Sequence, residues 1–260
     1  MLNNPLGILF RFREDQVGIV GDISIMYHSI KIDKLDQHVH TFLWRDMNSY
    51  RDPDQYVLNT VTLGRRPSGT IATMALRYTA DMNQDEYPYV ARIIRENTYM
   101  DDIILKVADV VQARTVTSDI ETVLSRGNFH VKQWVMSGEN QQPGGRDLSG
   151  IDVAKVLRLL WIPVQDDLVF KVLINFSRKD KGARATPGMT KDICFLNFPK
   201  YLTRRMILRQ VSLIYEPLGF LVPVILKAKL MMRCMIRKEE GGCNKTIDWD
   251  EPLPDSCVKD

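Results

Sequence analysis

Two apolar segments that carry carboxylates constrain the fold of this 260-residue chain more than any other feature. Val17–Gly21 has the pattern of a buried strand and is followed directly by Asp22. Thr98–Leu105 is apolar on both sides of Asp101 and Asp102. Burial removes the hydration of carboxylates, and neighbouring carboxylates repel each other, so such a group persists only where a cation neutralises it. We therefore expect the two segments to be neighbouring strands whose acids meet at bound metal.

Oxygen ligands with open coordination positions suit Mg²⁺, with Mn²⁺ as an alternative ion. Successive side chains of a straight strand point to opposite faces, so Asp101 and Asp102 can share a metal site only if the chain turns sharply there. The sequence therefore predicts a tight antiparallel hairpin, with Asp22 and Asp101 as the principal ligands of two ions and Asp102 as a third. Taken alone, an Asp-Asp pair is more often a solvated turn.

Charge is distributed unevenly along the chain. Residues 176–238 contain 14 Lys or Arg and 3 Asp or Glu, a balance of +11, whereas the rest has a balance of −8. A basic part beside an acidic part is typical of a protein that binds a polyanion with one and cations with the other. A solvated basic surface without a partner is the alternative. The candidate phosphate contacts on two predicted C-terminal helices are Arg204, Arg205, Arg209, Lys227 and Lys229.

The composition excludes several classes of protein. With 45% apolar and 26% charged residues, the chain is typical of a soluble globular protein. The apolar run Pro217–Leu226 contains two prolines and is far shorter than the roughly 20 residues that a membrane span needs. The N-terminus lacks the pattern of a secretion signal, so we expect a cytoplasmic protein without a membrane partner. The four cysteines are too dispersed to predict a zinc site.

The segment Tyr99–Asp102 reads Tyr-Met-Asp-Asp and resembles the Tyr-x-Asp-Asp box of reverse transcriptases. Asp22 lies 79 residues before Asp101, where that family carries its other metal-binding aspartate. Between them, Leu63–Gly69 resembles the family's glycine-containing loop and helix that shape the nucleotide pocket. Four further segments resemble elements of the BEL/Pao group of LTR retrotransposons, namely Gly21–Ile30, Phe42–Asp46, Ile214–Gly219 and Asp248–Pro254.

The resemblance implies roles for further residues. Tyr27 matches the steric gate that excludes a ribose 2′-hydroxyl, although an aromatic core residue is the alternative. Gly64 would let the backbone approach the nucleotide, or it is an ordinary turn glycine. Ser68 would cap the following helix or touch the template, and capping is favoured. Tyr99 and Met100 are further implied contacts with the nucleotide. Lys132 falls near the family lysine that protonates pyrophosphate, although a surface-strand lysine is favoured. Arg65 and Arg66 could contact phosphates or equally be solvated.

The predicted fold is α/β, of the α+β kind, in the style of a polymerase palm with an antiparallel sheet backed by helices. Residues 1–150 form the palm, with a residual fingers insertion at about 28–61. Residues 151–199 form a hairpin that resembles the primer grip and a basic connection, and residues 200–260 form a helical, basic thumb or connection segment. Phe129–Val135 is predicted as a strand on which His130, Lys132 and Trp134 share one face.

Two features depart from the family's pattern. The chain begins about 20 residues before Asp22, so we expect the upstream fingers strands, and with them a complete nucleotide pocket, to be missing. Arg158 occupies a position of the primer-grip hairpin where the family typically has glycine. RNase H and integrase segments are expected in the parent polyprotein, beyond the end of this chain.

The sequence thus predicts a fragment of an RNA-directed DNA polymerase from a retrotransposon polyprotein, acting in a cytoplasmic virus-like particle. Its partners would be an RNA or DNA template–primer and deoxynucleoside triphosphates. The main alternative is a remnant without enzymatic activity that binds nucleic acid through its basic end. A metal-dependent glycosyltransferase or phosphohydrolase would explain neither Tyr27 nor the Leu63–Gly69 loop.

Overall fold

The structure is a computed structural model that describes residues 2–137, 153–170, 199, 201–234, 237–240, 243–246 and 248–253. Residues 2–137 and 163–166 form a first unit, and the other described residues form a second. Every helix in the described ranges is too short or too polar to traverse a lipid bilayer. Mixed α/β structure with antiparallel sheets and helices was predicted, and this is confirmed.

The first unit contains, in chain order, α1 (Pro5–Arg11), β1 (Val17–Ser24), β2 (Thr41–Trp44), β3 (Asp54–Val57), α2 (Ser68–Met82), α3 (Pro88–Glu96), β4 (Thr98–Tyr99), β5 (Asp102–Val107), α4 (Val110–Arg126) and β6 (His130–Met136). Local sequence explains several helix ends. Asn4 caps α1 by accepting a hydrogen bond from the Leu6 backbone N–H, and Asp109 caps α4 in the same way. Helix α3 begins with Pro88, whose missing N–H costs nothing at that position.

The main sheet has the strand order β4-β5-β1-β6, and each neighbouring pair is antiparallel. One face of this sheet is covered by α2, α3 and α4, because Ile19 and Ile23 of β1 and Leu105 of β5 belong to one buried apolar cluster with residues of these helices. This cluster provides a rigid support for whatever the opposite face carries.

The opposite face follows from the register, since residues directly opposite each other in an antiparallel pair share a face. Val20 pairs with Ile104 in the middle of the β1–β5 ladder, and Asp22 pairs with Asp102 at one end. At the other end, the Lys106 side chain is almost fully buried, forms an ion pair with Asp166 at 2.5 Å and lies over the Phe12 ring. On this face of the β1–β5 ladder, Asp22 and Asp102 therefore lie at one end, next to the apolar pair Val20 and Ile104.

A β-bulge interrupts the β1–β6 ladder beside the acids. Gly21 pairs with Trp134 and Ile23 pairs with Val131, so β6 has one extra residue opposite Asp22. The bulge reverses the alternation along β6, and Trp134 packs with Val131 against the helix-covered core. The prediction that Lys132 and Trp134 share a face is therefore wrong.

The region predicted as a residual fingers insertion, at about 28–61, begins within the 3-10 helix Met26–Ser29 and contains the 3-10 helix Gln37–His40 and the hairpin β2–β3. All eight residues of these two strands are exposed. The Phe42 and Tyr56 rings stack across the strands at 5.5 Å. The Val61 backbone N–H donates to the Ile30 carbonyl at 3.0 Å and closes the base of the insertion.

The second unit contains β7 (Ala154–Val156), β8 (Leu159–Ile162), β9 (Asp167–Val169), α5 (Arg204–Leu213), α6 (Val222–Cys234), β10 (Arg237–Glu240) and β11 (Cys243–Thr246). Strands β7, β8 and β9 form an antiparallel sheet in that order, and β10 pairs with β11. The predicted basic connection falls mostly on residues 171–198, which lie outside the described residues.

Arg158 lies in the two-residue turn between β7 and β8. Leu157 has a φ of 47° and Arg158 a φ of 71°, and positive φ at both central residues is typical of a type I′ turn, which favours Asn-Gly. The guanidinium group of Arg158 lies 5.6 Å from the centroid of the Tyr215 ring. Arg158, predicted to occupy a glycine position of a primer-grip hairpin, thus lies where the backbone conformation favours glycine.

Candidate metal centre

The carboxylates of Asp22, Asp101 and Asp102 come together as the sequence predicts. One oxygen of each lies within 4.8 Å of an oxygen of both others. Asp22 faces Asp102 directly across β1 and β5, and the Ile23 backbone N–H donates to the Asp101 carbonyl at 2.8 Å. Among the described residues, this is the one group of three acidic, His or Cys side chains close enough to share a metal ion.

A hairpin turn allows two consecutive acids to reach one place. Tyr99 of β4 pairs with Asp102 of β5, which leaves Met100 and Asp101 as the two turn residues. Met100 has a φ of 57°, the left-handed conformation that primed hairpin turns require and that glycine adopts most easily. A non-glycine residue held there costs about 1–3 kcal/mol. Asp101 is in the turn and Asp102 begins a strand, so the strict alternation of a straight strand does not separate them.

The electrostatics of Asp22 reflect its crowded position. Burial raises the pKa of the Asp22 carboxyl above its ordinary value, and the negative charge of Asp101 raises it further. The ammonium group of Lys132 acts in the opposite direction. A divalent cation would reverse this balance, because it stabilises the ionised carboxylates.

The bulge of β6 brings Lys132 to the acids. The extra residue on β6 lies opposite Asp22, and bulges commonly redirect a side chain next to a functional site. On the helix-covered face, the Trp134 ring packs over Gly21, where a Cβ would lie 2.5 Å from the nearest ring atom. The Trp134 Nε1–H donates to Glu121 Oε1 of α4 at 2.8 Å. These contacts were missed from the sequence, although a glycine inside a strand does signal a close approach.

Tyr27 lies close enough to the acids for its hydroxyl to experience their charge. Strand β1 ends just before Ile25, which has a φ of 41°, and Tyr27 follows in a 3-10 helix. Burial raises the pKa of the Tyr27 phenol, and the negative charge of Asp101 raises it further. The ring also packs against the apolar cluster. Tyr27 is thus a partly buried residue packed against the apolar cluster, with its hydroxyl near the acids, and its role as a steric gate stays a prediction.

The Leu63–Gly69 loop lies next to the hairpin. A Cβ on Gly69 would be 3.6 Å from the Met100 methyl group. Gly64 has a φ of 87° and is exposed, as are Arg65 and Arg66. The prediction that Ser68 caps α2 is wrong, because Ser68 is the first residue of the helix and Pro67 precedes it as a cap without a side-chain bond. The buried Ser68 hydroxyl instead donates to the Thr62 carbonyl at 2.6 Å.

The predicted phosphate contacts of the second unit differ in accessibility. Arg209, Lys227 and Lys229 are exposed. Arg205 is exposed, but it forms a two-bond pair with Asp250 at 2.7 and 3.0 Å. Arg204 does not have the surface position expected of a phosphate contact, since it is buried with its guanidinium group 4.3 Å from the centroid of the Trp249 ring.

Comparison with known families gives one finding. Residues 203–260 match the family described as the Pao retrotransposon-like RNaseH-like domain. This match supports a fragment of a BEL/Pao-type retrotransposon polyprotein. It covers 58 of the 260 residues, so the three clustered carboxylates lie outside it. Comparison with curated proteins gives no match.

Proposed function

We propose that this chain is a reverse-transcriptase fragment of a retrotransposon polyprotein, built to transfer a nucleotide onto a primer 3′-hydroxyl. The observation that carries the proposal is the convergence of Asp22, Asp101 and Asp102 on an antiparallel sheet supported by helices on one face. The fold would then be a polymerase palm, and residues 28–61 its residual fingers insertion.

The three carboxylates have the donor set and spacing for divalent ions. Oxygens within 4.8 Å of one another can bridge two Mg²⁺ or Mn²⁺ ions about 3.5–4 Å apart. When bound, such ions activate the attacking hydroxyl and stabilise the charge of the leaving pyrophosphate. Asp22 and Asp101 are the principal ligands in this proposal, and Asp102 is the third. The strained turn at Met100 supports it, because strained backbone clusters at functional sites.

The neighbouring residues would then act on the incoming deoxynucleoside triphosphate. Tyr27 would exclude a ribose 2′-hydroxyl with its ring, which the apolar cluster holds in place. Lys132 would offset the negative charge of the pyrophosphate and donate a proton to it. Gly64 offers backbone without a Cβ, and Arg65 and Arg66 would approach the phosphates. Tyr99 and Met100 would border the pocket, and Ser68 would fix the loop beside it rather than touch the nucleotide.

The template–primer, of RNA or DNA, would be bound through phosphate contacts in the second unit. Arg209, Lys227 and Lys229 are the exposed candidates, whereas Arg205 would have to leave Asp250 first. Contacts of this kind give affinity without reading sequence, and they weaken as salt rises. Binding of nucleic acid is also what an RNaseH-like segment at residues 203–260 would imply.

Two other functions remain as alternatives. A nuclease is suggested by the description of the matched family, but no cluster of three acids occurs among the described residues of 203–260. A remnant of a decayed element that binds nucleic acid without catalysis is favoured by Arg158, which occupies a glycine-like turn conformation in the predicted primer grip.

Primer extension distinguishes these functions. The full chain, alone and fused to fingers strands of a related polymerase, would be given a template–primer, deoxynucleoside triphosphates and Mg²⁺. We expect extension by the fusion and none by its Asp22→Asn variant. Duplex binding without extension in every form would support the remnant. Cleavage of the RNA strand of an RNA–DNA hybrid, unaffected by Asp22→Asn, would support the nuclease.

A further inference from the structure

The hairpin that carries Asp101 and Asp102 lies at the edge of the sheet and has few backbone partners. Strand β4 has two residues and pairs only with β5 among the described strands. Its turn contains Met100 in a left-handed conformation, which persists only where the surroundings hold it in place. The geometry of the carboxylates therefore depends on what secures β4 from its outer side.

Asn3 secures β4 from that side. Its Nδ2 group donates to the Thr98 carbonyl at 2.8 Å and to the Arg95 carbonyl at 2.8 Å. Its Oδ1 atom accepts a hydrogen bond from Arg77 Nη2 at 3.1 Å. Thr98 is the first residue of β4, Arg95 lies in the last turn of α3, and Arg77 belongs to α2. One partly buried amide thus joins the catalytic hairpin to two helices of the supporting face.

The same helix α2 also meets the turn of the hairpin. Met100 lines a small cavity with Leu2, Thr73 and Leu76, and the Met100 methyl group approaches Gly69. Leu2, which precedes Asn3, and residues of α2 therefore enclose the Met100 side chain. Asn3 holds the strand before the turn, and this packing holds the turn itself.

We propose that Asn3 is a positioning residue for the metal centre, which fixes β4 so that Asp101 and Asp102 face Asp22 at the separation the ions require. This inference rests on the proposed function, because it concerns the geometry of that same site. Asparagine suits the position, since its side chain supplies two N–H donors and an acceptor in one plane. Aspartate can accept from Arg77 but cannot donate to either carbonyl.

Titration of the full chain with Mn²⁺, followed by calorimetry and by the spectrum of the bound ion, tests the inference. We expect Asn3→Ala and Asn3→Asp to bind Mn²⁺ about tenfold more weakly, as substitutions outside the ligand shell commonly do. Asn83→Ala is the matched control. The Asn83 amide donates to the Thr79 carbonyl at 2.8 Å and accepts from Arg126 at 2.6 Å. The Asn83→Ala variant therefore loses comparable hydrogen bonds at a place away from the hairpin. It should lower thermal stability and leave Mn²⁺ affinity unchanged.

The outcomes separate the inference from the proposed function. Wild-type affinity in a folded Asn3→Ala or Asn3→Asp variant overturns the inference alone. An equal loss of affinity in Asn83→Ala overturns it too, because general destabilisation would then explain the result. Should Asn3→Ala not fold, Asn3→Asp tests the same two donors. If the wild-type chain binds no Mn²⁺, or if its Mn²⁺ binding is unchanged by Asp22→Asn, the proposed function fails and the inference fails with it.

Discussion

Gly21→Ala is the substitution whose effect the structure defines most sharply. The new Cβ would lie 2.5 and 2.6 Å from two atoms of the Trp134 ring, closer than real Cβ atoms come. The ring would have to move outward and lose its 2.8 Å hydrogen bond to Glu121. Overpacking of this kind costs about 1–3 kcal/mol, and the lost bond about 1 kcal/mol. Alanine recovers about 0.5–1 kcal/mol of backbone entropy, so we expect a net loss of about 2 kcal/mol.

Urea denaturation of the purified variants measures this loss. Gly69→Ala is the control, because a Cβ there would meet only the Met100 methyl group, at an ordinary contact distance of 3.6 Å. We expect that control to be neutral or stabilising. In a Trp134→Ala background, Gly21→Ala should cost almost nothing, since the clash is gone. A Gly21→Ala variant as stable as the wild type, or one that costs as much without the tryptophan ring as with it, would refute the reasoning.

Three further predictions follow from the same contacts. In metal-free buffer, Asp22→Asn should raise the melting temperature near pH 7 and not near pH 3. The pKa of Asp22 in the folded state lies above its ordinary 3.8, so ionisation of Asp22 lowers stability as the pH rises through that range. Equal effects at both pH values would contradict this. Asp166→Ala should lower the free energy of unfolding by about 3 kcal/mol in guanidinium denaturation, because the buried Lys106 ammonium loses its 2.5 Å partner. Adding Lys106→Met should restore most of that loss. A double variant as unstable as Asp166→Ala alone would show that the ion pair is not the cause. By fluorescence anisotropy, Arg209→Ala should reduce the salt dependence of duplex binding by about one unit of log–log slope, whereas Arg205→Ala, whose guanidinium is held by Asp250, should change it less.

The meeting of the carboxylates could be predicted because its signals are local. An apolar run that ends in Asp22 and another interrupted by Asp101 and Asp102 each predict a strand with an unusual acid. Their resemblance to an ordered set of motifs then predicts that the strands are neighbours. The antiparallel ladder between β1 and β5 agrees with this. The role of the acids as metal ligands stays a prediction.

Features that depend on contacts outside the strand or helix itself could not be predicted. A one-residue bulge on β6 reverses side-chain alternation, so Trp134 packs over Gly21 while Lys132 is near Asp22. Arg204 is buried because Trp249, 45 positions later, covers its guanidinium group. Ser68 bonds to Thr62 rather than capping its helix. In each case a contact outside the strand or helix itself overrides a pattern that is correct for the isolated element.

Anomalous scattering at the manganese edge, from crystals of the full chain grown with Mn²⁺, tests the metal centre most directly. We expect two peaks about 3.5–4 Å apart, bound by oxygens of Asp22 and Asp101, with Asp102 beside them. Crystals with manganese only at other sites, and with these three carboxylates bound to water alone, would contradict the account.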